Sequence, residues 1–199
     1  MITQRDSSVE TGNTIAINAS ENVTANVTIS GVNINTSDAA VSTSGKGNAN
    51  IELDGTNTLK SGSDYAGLEK SKDGKLTITD ENENGKLIAT GGTNGAGIGG
   101  GTNGGGNDIT ITGGEITATG GDYGAGIGGG YFGDGNDITI TGGKVTATGG
   151  DYGAGIGGGN QGNGSNITIT DGEVTAAGGT NGAGIGGGIS SKGEKISIL

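Results

Sequence analysis

The chain has 199 residues, 29% of them hydrophobic and 50 of them glycine, and it contains no proline, cysteine or histidine. So few apolar residues exclude a thick globular core, and the missing cysteine and histidine exclude disulfides, thiolate metal sites and catalysis by a Ser-His or Cys-His pair. The net charge of −11 argues against binding to nucleic acid or to an anionic membrane surface, and no apolar run approaches the length of a membrane-spanning helix.

The N-terminal residues 1–13 are polar and carry no ordered apolar alternation. We predict a disordered, tag-like or capping segment there, followed by a single domain over residues 14–199. The last residues, 195–199, begin another alternating segment and then stop. We therefore expect the domain to be cut from a longer protein.

A repeat of 29 residues organises the C-terminal half of the chain. Three close copies cover 108–136, 137–165 and 166–194, and a looser copy with a small insertion covers 75–107. Fainter copies precede it from residue 26 onward, so the chain contains about six coils. Repetition explains the composition, because a thin core extended along one axis needs few apolar residues per coil.

Each copy contains three extended segments. In 109–112 isoleucine alternates with threonine, and 115–119 and 125–128 likewise direct alternate residues inward. The Gly-Gly pairs at 113–114 and 120–121 supply corners at which positive φ is accessible to glycine. The pattern predicts an all-β fold, a right-handed parallel β-helix with three faces, in which each 29-residue repeat forms one coil.

One outward column supports parallel, in-register stacking. Lys86, Glu115, Lys144 and Glu173 occupy equivalent positions in successive copies, so their charges alternate along the predicted stack. Unlike charges on neighbouring strands attract, whereas like charges would repel. The alternation therefore indicates coils paired at a constant offset.

The repeated pattern ITITGGxVTATGGxxGAGIGGG, with VTISGVNINT and ANIELDGTNTLKSG upstream, resembles the repeats of large bacterial surface proteins. It is similar to the right-handed β-helix carbohydrate-binding proteins of clostridial cell surfaces, and the resemblance covers Thr14 to Leu199. This resemblance implies an extracellular location on a bacterial cell surface and polysaccharide binding, in some members with calcium. No binding motif transfers residue by residue.

Threonine recurs at two outward positions of the first segment. The two predicted files are Thr110, Thr139 and Thr168, and Thr112, Thr141 and Thr170, with Thr77 and Thr79 below them. Threonine suits an exposed strand for structural reasons alone. Regular rows of hydroxyl and methyl groups also resemble ice-binding solenoids, so ice is an alternative ligand.

The corner at 104–108 and its copy at 133–137 echo the calcium-binding motif G-G-x-G-x-D. The candidate ligands are Asp108, Asp134 and Asp137, and calcium is the one cofactor we consider. The alternative is turn chemistry, in which Asn and Asp side chains bond to nearby backbone.

The aromatic residues form a further candidate site. Tyr123 and Tyr152 follow aspartates in successive copies, and Asp64-Tyr65 is the upstream equivalent by sequence. Tyr131 and Phe132 are adjacent in a loop that has no aromatic residue in the other copies. These rings could stack on sugars or simply close a corner of the core.

Six glycines are predicted to leave the outer face of the third segment bare. They are Gly126, Gly128, Gly155, Gly157, Gly184 and Gly186. Either the loops 131–136 and 160–165 fold over this face, or a neighbouring solenoid packs against it. The second alternative would be lateral self-association, and exposed strand edges would also permit end-to-end association.

Catalysis is not expected, because carboxylates recur as regular columns and not as one convergent pair. The predicted function is a non-catalytic extracellular adhesion or binding module that recognises polysaccharide. The alternatives are an ice-binding solenoid and a structural stalk or filament segment of a surface protein.

Overall fold

The computed structural model describes residues 1–70 and 73–199, and every regular element in them is a β-strand. In chain order the strands are β1 (Ile2–Thr3), β2 (Ile15–Asn18), β3 (Thr24–Ser30), β4 (Asn33–Asn35), β5 (Val41–Ser44), β6 (Asn48–Asp54), β7 (Thr56–Lys60), β8 (Leu68–Glu69), β9 (Leu76–Thr79), β10 (Lys86–Thr90), β11 (Ile98–Gly99), β12 (Ile109–Ile111), β13 (Glu115–Thr119), β14 (Ile127–Gly128), β15 (Gly135–Asn136), β16 (Ile138–Thr148), β17 (Ile156–Gly157), β18 (Gly164–Ala177), β19 (Ile185–Gly186) and β20 (Gly193–Ile198). No helix that could cross a membrane occurs in this described part of the chain.

The strands stack in three parallel ladders, one for each face of a solenoid. The first ladder runs β1-β3-β6-β9-β12 and continues into the first halves of β16 and β18 and into β20. The second runs β4-β7-β10-β13 and continues into the second halves of β16 and β18. The third runs β2-β5-β8-β11-β14-β17-β19. The prediction of a three-faced parallel β-solenoid is confirmed.

The solenoid has about seven turns of about 29 residues, one turn more than the sequence count. The additional turn lies at the N-terminus, where the repeat pattern is faintest. There, Ile2 pairs with Ile29 in the first ladder, and Thr11 forms an isolated bridge with Ile34. Residues 1–13 thus contribute backbone pairing to the first turn.

A single narrow core fills the space between the three ladders. Each regular turn contributes inward side chains of the same kind, and in the turn that begins at residue 108 all of them are at most 1% exposed. They are Ile109, Ile111, Ile116, Ala118, Ala125 and Ile127. Because the regular turns repeat this set, their apolar residues form continuous columns along the axis.

The alternating charge column is confirmed. Lys86 pairs with Glu115 in the second ladder, Glu115 with Lys144, and Lys144 with Glu173. The Lys86 Nζ to Glu115 Oε1 distance is 2.9 Å, and the Lys144 Nζ to Glu173 Oε1 distance is 3.4 Å. The hydrogen bond from Lys86 and its charge lower the pKa of Glu115. The pairs lie on the surface, so they set the register more than they add stability.

The corner glycines behave differently from the sequence prediction. Of the two pairs, Gly114 alone has a positive φ, +91°. At Gly121 the requirement is space, because a Cβ there would lie 1.9 Å from the Gly92 carbonyl oxygen of the turn below. Other corners use residues with side chains in the left-handed region, such as Asp108 and Asp137, each with a φ of 56°.

The glycines of the third ladder are not bare on the outside. Gly126 and Gly128 are buried, and a Cβ on Gly126 would lie 2.6 Å from the Gly155 carbonyl oxygen of the next turn. The loop after each third strand folds back over this ladder, so that a Cβ on Gly135 would lie 2.0 Å from the Gly157 carbonyl oxygen. Of the two explanations, the loop accounts for these glycines.

Candidate functional site

Four aromatic residues that are dispersed in the sequence meet at one corner of the solenoid. The Tyr123 and Tyr152 rings stack with centroids 5.3 Å apart and planes 12° from parallel. The Tyr131 ring lies 5.1 Å from Tyr123 and 3.9 Å from Phe132, tilted against both. We call Tyr123, Tyr131, Phe132 and Tyr152 the aromatic patch. The chain has only four tyrosines, one phenylalanine and no tryptophan, so the patch holds all its aromatic side chains except Tyr65.

The solenoid itself creates this convergence. Tyr123 and Tyr152 occupy the same position in successive turns, and the Tyr152 N–H donates to the Asp122 carbonyl at 3.0 Å. Parallel strands stack about 4.8 Å apart, which is close to the separation of two stacked rings. The loop of the lower turn then brings Tyr131 beside them, held by a hydrogen bond of 2.7 Å from its N–H to the Asn94 carbonyl.

Phe132 has two unfavourable features, an exposed apolar side chain and a positive backbone φ. Its side chain is 47% exposed, and its backbone φ is +60°. The equivalent residues of the neighbouring turns also have a positive φ, but they are the polar residues Asn103, Gln161 and Ser190. A bulky residue in this region is an outlier, and strained residues of this kind concentrate at ligand sites.

The patch lies outside the hydrophobic core. None of its four rings belongs to the core cluster, and the three tyrosines are half-buried against one another. The alternative in which Tyr123 closes a corner of the isoleucine core therefore does not describe the structure. Asp122 and Asp151 precede the two stacked tyrosines, and both are exposed. The patch is thus an accessible apolar surface next to a short acidic column.

Tyr65 does not belong to the tyrosine column. The Asn94 N–H donates to the Ser63 carbonyl, so Asp64 lies below Asn94, in the column that holds Tyr123 one turn higher. Tyr65 lies instead below Gly95, whose Cβ would be 1.9 Å from the Tyr65 carbonyl oxygen. The sequence pairing of Asp64-Tyr65 with Asp122-Tyr123 is therefore wrong by one residue. Hydrogen bonds from Asn94 and Thr102 lower the pKa of Asp64.

Asn160 is a member of this region that the sequence did not suggest. It is 7% exposed, and its Oδ1 atom is enclosed without a hydrogen-bond partner. Its backbone joins the patch directly: its N–H donates to the Tyr123 carbonyl at 2.8 Å, and its carbonyl accepts from the Phe132 N–H at 3.0 Å. No repeated pattern singles it out, because each turn has a different residue at this position.

The two predicted threonine files differ in how regularly they stack in the structure. Thr77, Thr110, Thr139 and Thr168 pair in register along the first ladder. In the second file the Thr112 hydroxyl donates to the Ile78 carbonyl at 3.2 Å and the Thr141 hydroxyl to the Ile111 carbonyl at 3.5 Å. A register shift then pairs Thr141 with Asp171 instead of Thr170. The first file is therefore continuous, whereas the second loses its register at Thr170.

Two of the candidate calcium ligands, Asp134 and Asp137, accept hydrogen bonds from the turn above. Asp134 Oδ1 accepts hydrogen bonds from the Asn163 N–H at 2.7 Å and from Asn163 Nδ2 at 3.3 Å. Asp137 Oδ1 accepts from Asn166 Nδ2 at 3.0 Å, and Asp108 occupies the equivalent corner one turn below. Within residues 1–70 and 73–199, no three acidic side chains converge to surround a metal ion.

We therefore expect Asp134→Ala to lower the free energy of unfolding by about 1 kcal/mol, because the Asn163 amide loses its partner. The loss should be equal in calcium and in a chelator. Equilibrium denaturation in both buffers measures this loss of stability. The control is Asp122→Ala, which removes an exposed carboxylate of the same type and should change the free energy of unfolding little. A calcium-dependent melting temperature that the Asp134 variant abolishes would instead establish a calcium site.

Two charged side chains, one half-buried and one buried, are adjacent in the turn below these sites. Lys70 is 4% exposed, and Glu69 Oε2 accepts a hydrogen bond of 3.0 Å from the Ala66 N–H. Burial raises the pKa of Glu69 and lowers the pKa of Lys70, and in Lys70 the charges of Asp108 and Asp73 oppose that shift. In the higher turns glycines occupy these positions, so this pair belongs to the less regular half of the solenoid.

A family model described as a beta helix repeat matches three segments of the chain, 109–131, 138–160 and 167–189. Each segment begins with a strand of the first ladder and ends in the loop that follows the third ladder. The comparisons with curated proteins and with solved structures gave no match. These three segments are thus similar to beta helix repeats, and the stacked ladders show that the chain has the parallel β-solenoid fold.

Proposed function

We propose that this chain is a non-catalytic binding module of a bacterial cell surface, and that it recognises polysaccharide through the aromatic patch. The observation that carries the proposal is the convergence of Tyr123, Tyr131, Phe132 and Tyr152 in a chain with one other aromatic residue. The extracellular location follows from the resemblance of the repeats to bacterial surface proteins.

The chemistry of the patch suits a sugar ring. A pyranose presents a flat face of C–H groups that packs on an aromatic face, while its hydroxyls remain available to water and to polar side chains. Accessible apolar patches on otherwise polar proteins mark interaction sites. Phe132 is both exposed and held at a positive φ, a combination that favours a ligand contact over a role in folding.

The charge around the patch narrows the ligand class. Asp122 and Asp151 add two carboxylates beside the rings, and the whole chain has a net charge of −11. Acidic polysaccharides such as pectate would be repelled, whereas uncharged or amine-bearing glycans would not. We therefore place the ligand among the uncharged or amine-bearing polysaccharides.

The arrangement of acids supports binding without chemistry. A glycosidase places two carboxyl groups on opposite sides of the bond that it cleaves. Asp122 and Asp151 instead occupy the same position in successive turns, so they lie on one side of any sugar that covers the tyrosines. A chain without histidine also offers no imidazole for proton transfer.

The test replaces patch residues by those that the chain itself uses at equivalent positions. Phe132→Asn copies Asn103, and Tyr152→Asn copies Asn181, so each variant keeps a side chain that the turn tolerates. Stacked rings contribute about 0.5–1.5 kcal/mol each, so the double variant should bind an uncharged polysaccharide about tenfold more weakly. Calorimetry or affinity electrophoresis on a β-glucan, a mannan, a xylan and chitosan would measure it.

Tyr65→Asn is the matched control, because Tyr65 is an exposed tyrosine outside the patch. It should leave binding unchanged. If the panel shows no binding, or if the control loses as much affinity as the double variant, the patch is not a glycan site.

A further inference from the structure

The tyrosines of the aromatic patch are also the place where this protein is open to oxidation. The chain has no cysteine, tryptophan or histidine, and it has a single methionine. One-electron oxidants therefore act on its tyrosines, because a phenol can lose an electron and its hydroxyl proton to become a phenoxyl radical. Three of the four tyrosines, Tyr123, Tyr131 and Tyr152, are half-buried and have their rings in contact.

Tyr123 and Tyr131 have the mutual orientation that coupling requires. Their ring centroids are 5.1 Å apart, and the ring planes are inclined at 47°. Two phenol rings joined by a carbon–carbon bond are likewise twisted against each other, and their centroids are only slightly closer. The rings of Tyr123 and Tyr152 are 5.3 Å apart but only 12° from parallel, so these two meet by their faces and not by their edges. The tilted pair is therefore the one that a small movement brings to bonding distance.

Backbone hydrogen bonds hold both residues of the tilted pair in place. The Tyr123 carbonyl accepts from the Asn160 N–H of the turn above at 2.8 Å. The Tyr131 N–H donates to the Asn94 carbonyl, and its carbonyl accepts from the Asn103 N–H, both at 2.7 Å. Two reactants held side by side react without first having to meet, so coupling within the molecule is faster than coupling between molecules in dilute solution.

We propose that Tyr123 and Tyr131 form a dityrosine cross-link when a haem peroxidase and hydrogen peroxide oxidise the protein. Each phenol loses one electron and one proton, and the two radicals join at ring carbons next to their hydroxyl groups. The hydrogen atom on each joined carbon then moves to the neighbouring oxygen, so the product keeps both hydroxyl groups and has lost two hydrogen atoms. Hydrogen peroxide takes up the two electrons and two protons and becomes two molecules of water.

The cross-link would fasten a surface loop to the body of the solenoid. Tyr131 lies in the loop that folds back over the third ladder, and Tyr123 lies at the corner that precedes this ladder. A chain without cysteine has no disulfide for this purpose. The reaction requires only the two phenols and the oxidant, so it does not depend on whether the patch binds a glycan.

Tryptic peptides distinguish the possible products. Tyr123 and Tyr131 share the peptide 87–144, because no lysine or arginine lies between them, and Tyr152 lies in the next peptide, 145–192. The proposed bond leaves 87–144 as a single peptide that is lighter by two hydrogen atoms, whereas coupling to Tyr152 would join two peptides. The experiment oxidises dilute protein with a haem peroxidase and hydrogen peroxide, and it measures dityrosine fluorescence and the peptide masses.

Tyr131→Phe keeps the ring and removes the phenol. It should lower the yield of cross-linked 87–144 about tenfold or more, because the partner held beside Tyr123 can no longer form a radical. Tyr65→Phe is the matched control, since Tyr65 is 36% exposed and lies outside the patch, and it should leave the yield unchanged. The proposal is refuted if wild-type protein yields no cross-linked 87–144, if the cross-link joins 87–144 to 145–192, or if Tyr65→Phe lowers the yield as much as Tyr131→Phe.

Discussion

Gly128→Ala should lower the free energy of unfolding by about 4 kcal/mol or more, which is the range of exceptional single substitutions. Gly128 has a φ of +135°, and a Cβ on it would lie 1.9 Å from the Gly157 carbonyl oxygen of the next turn. The atom that this Cβ would meet is a backbone carbonyl oxygen of the third ladder, so no side chain can move aside to make room. The substitution can be accommodated only if two turns move apart, and this would break the hydrogen bonds between them.

Gly186→Ala is the matched control for this prediction. Gly186 has the same φ of +135°, but its nearest neighbour to a Cβ is the Gly193 Cα atom at 3.3 Å. Its alanine variant therefore carries the backbone strain without the severe clash, and we expect a loss of about 1–3 kcal/mol. Urea denaturation followed by circular dichroism compares the two variants. Equal losses would mean that φ strain, and not contact between turns, determines the need for glycine in the third ladder.

Much of the fold could be predicted because the repeat length fixes which residues meet. A period of 29 residues places Ile109 beside Ile138 and Glu115 beside Lys144, and both pairs form in the structure. The inward columns follow from alternation within each segment, which has the same meaning in every turn. Nothing in these inferences depends on the shape of a corner.

The corners and loops could not be predicted, because their backbone does not alternate. Gly120 and Gly121 were assigned positive φ, yet at Gly121 the fold needs only a position without a side chain. The glycines of the third ladder were assigned to the outer face, since the sequence does not show that the following loop folds back over them. Tyr65 was assigned to the tyrosine column because a one-residue difference in corner length leaves no trace in the pattern.

The aromatic patch shows the same division. Stacking of Tyr123 on Tyr152 follows directly from the period. The approach of Tyr131 and Phe132 depends on how the loop returns, and the unpaired state of the Asn160 amide depends on its enclosure. Both features depend on tertiary structure and not on the repeat period. A sequence can propose aromatic residues as a site, but it does not show that they meet or which polar group lies among them.

Asn57 is the other buried asparagine of this solenoid, and its amide is hydrogen-bonded to neighbouring turns. Asn57 is 0% exposed and pairs with Leu87 of the next turn, at an inward position where the higher turns carry Ile116 and Val145. A comparison of repeats would therefore recommend leucine at position 57. We expect Asn57→Leu instead to lower the free energy of unfolding by about 3 kcal/mol or more, since each buried polar group left unpaired costs about 1–3 kcal/mol.

The contacts of Asn57 explain the size of this effect. Its Oδ1 accepts the Val32 N–H of the turn below at 3.2 Å. Its Nδ2 lies within hydrogen-bond distance of the Asp54 and Gly55 carbonyls of its own corner, at 3.2 and 3.3 Å, and of the Lys86 carbonyl of the turn above, at 3.3 Å. One side chain thus joins three turns at a corner that the repeat does not otherwise stabilise.

Asn57→Leu and Asn160→Leu make the same chemical change at two buried positions, so their comparison isolates hydrogen bonding from packing. Denaturant unfolding measures the free energy of unfolding of both variants. Asn57→Leu should be strongly destabilised, and Asn160→Leu should not. If both lose stability equally, the Asn160 amide has a partner in solution, such as an enclosed water. If neither does, the bonds of Asn57 add nothing that apolar packing cannot replace. The predicted asymmetry arises because the Asn57 amide is hydrogen-bonded within the fold, whereas the Asn160 Oδ1 atom has no partner.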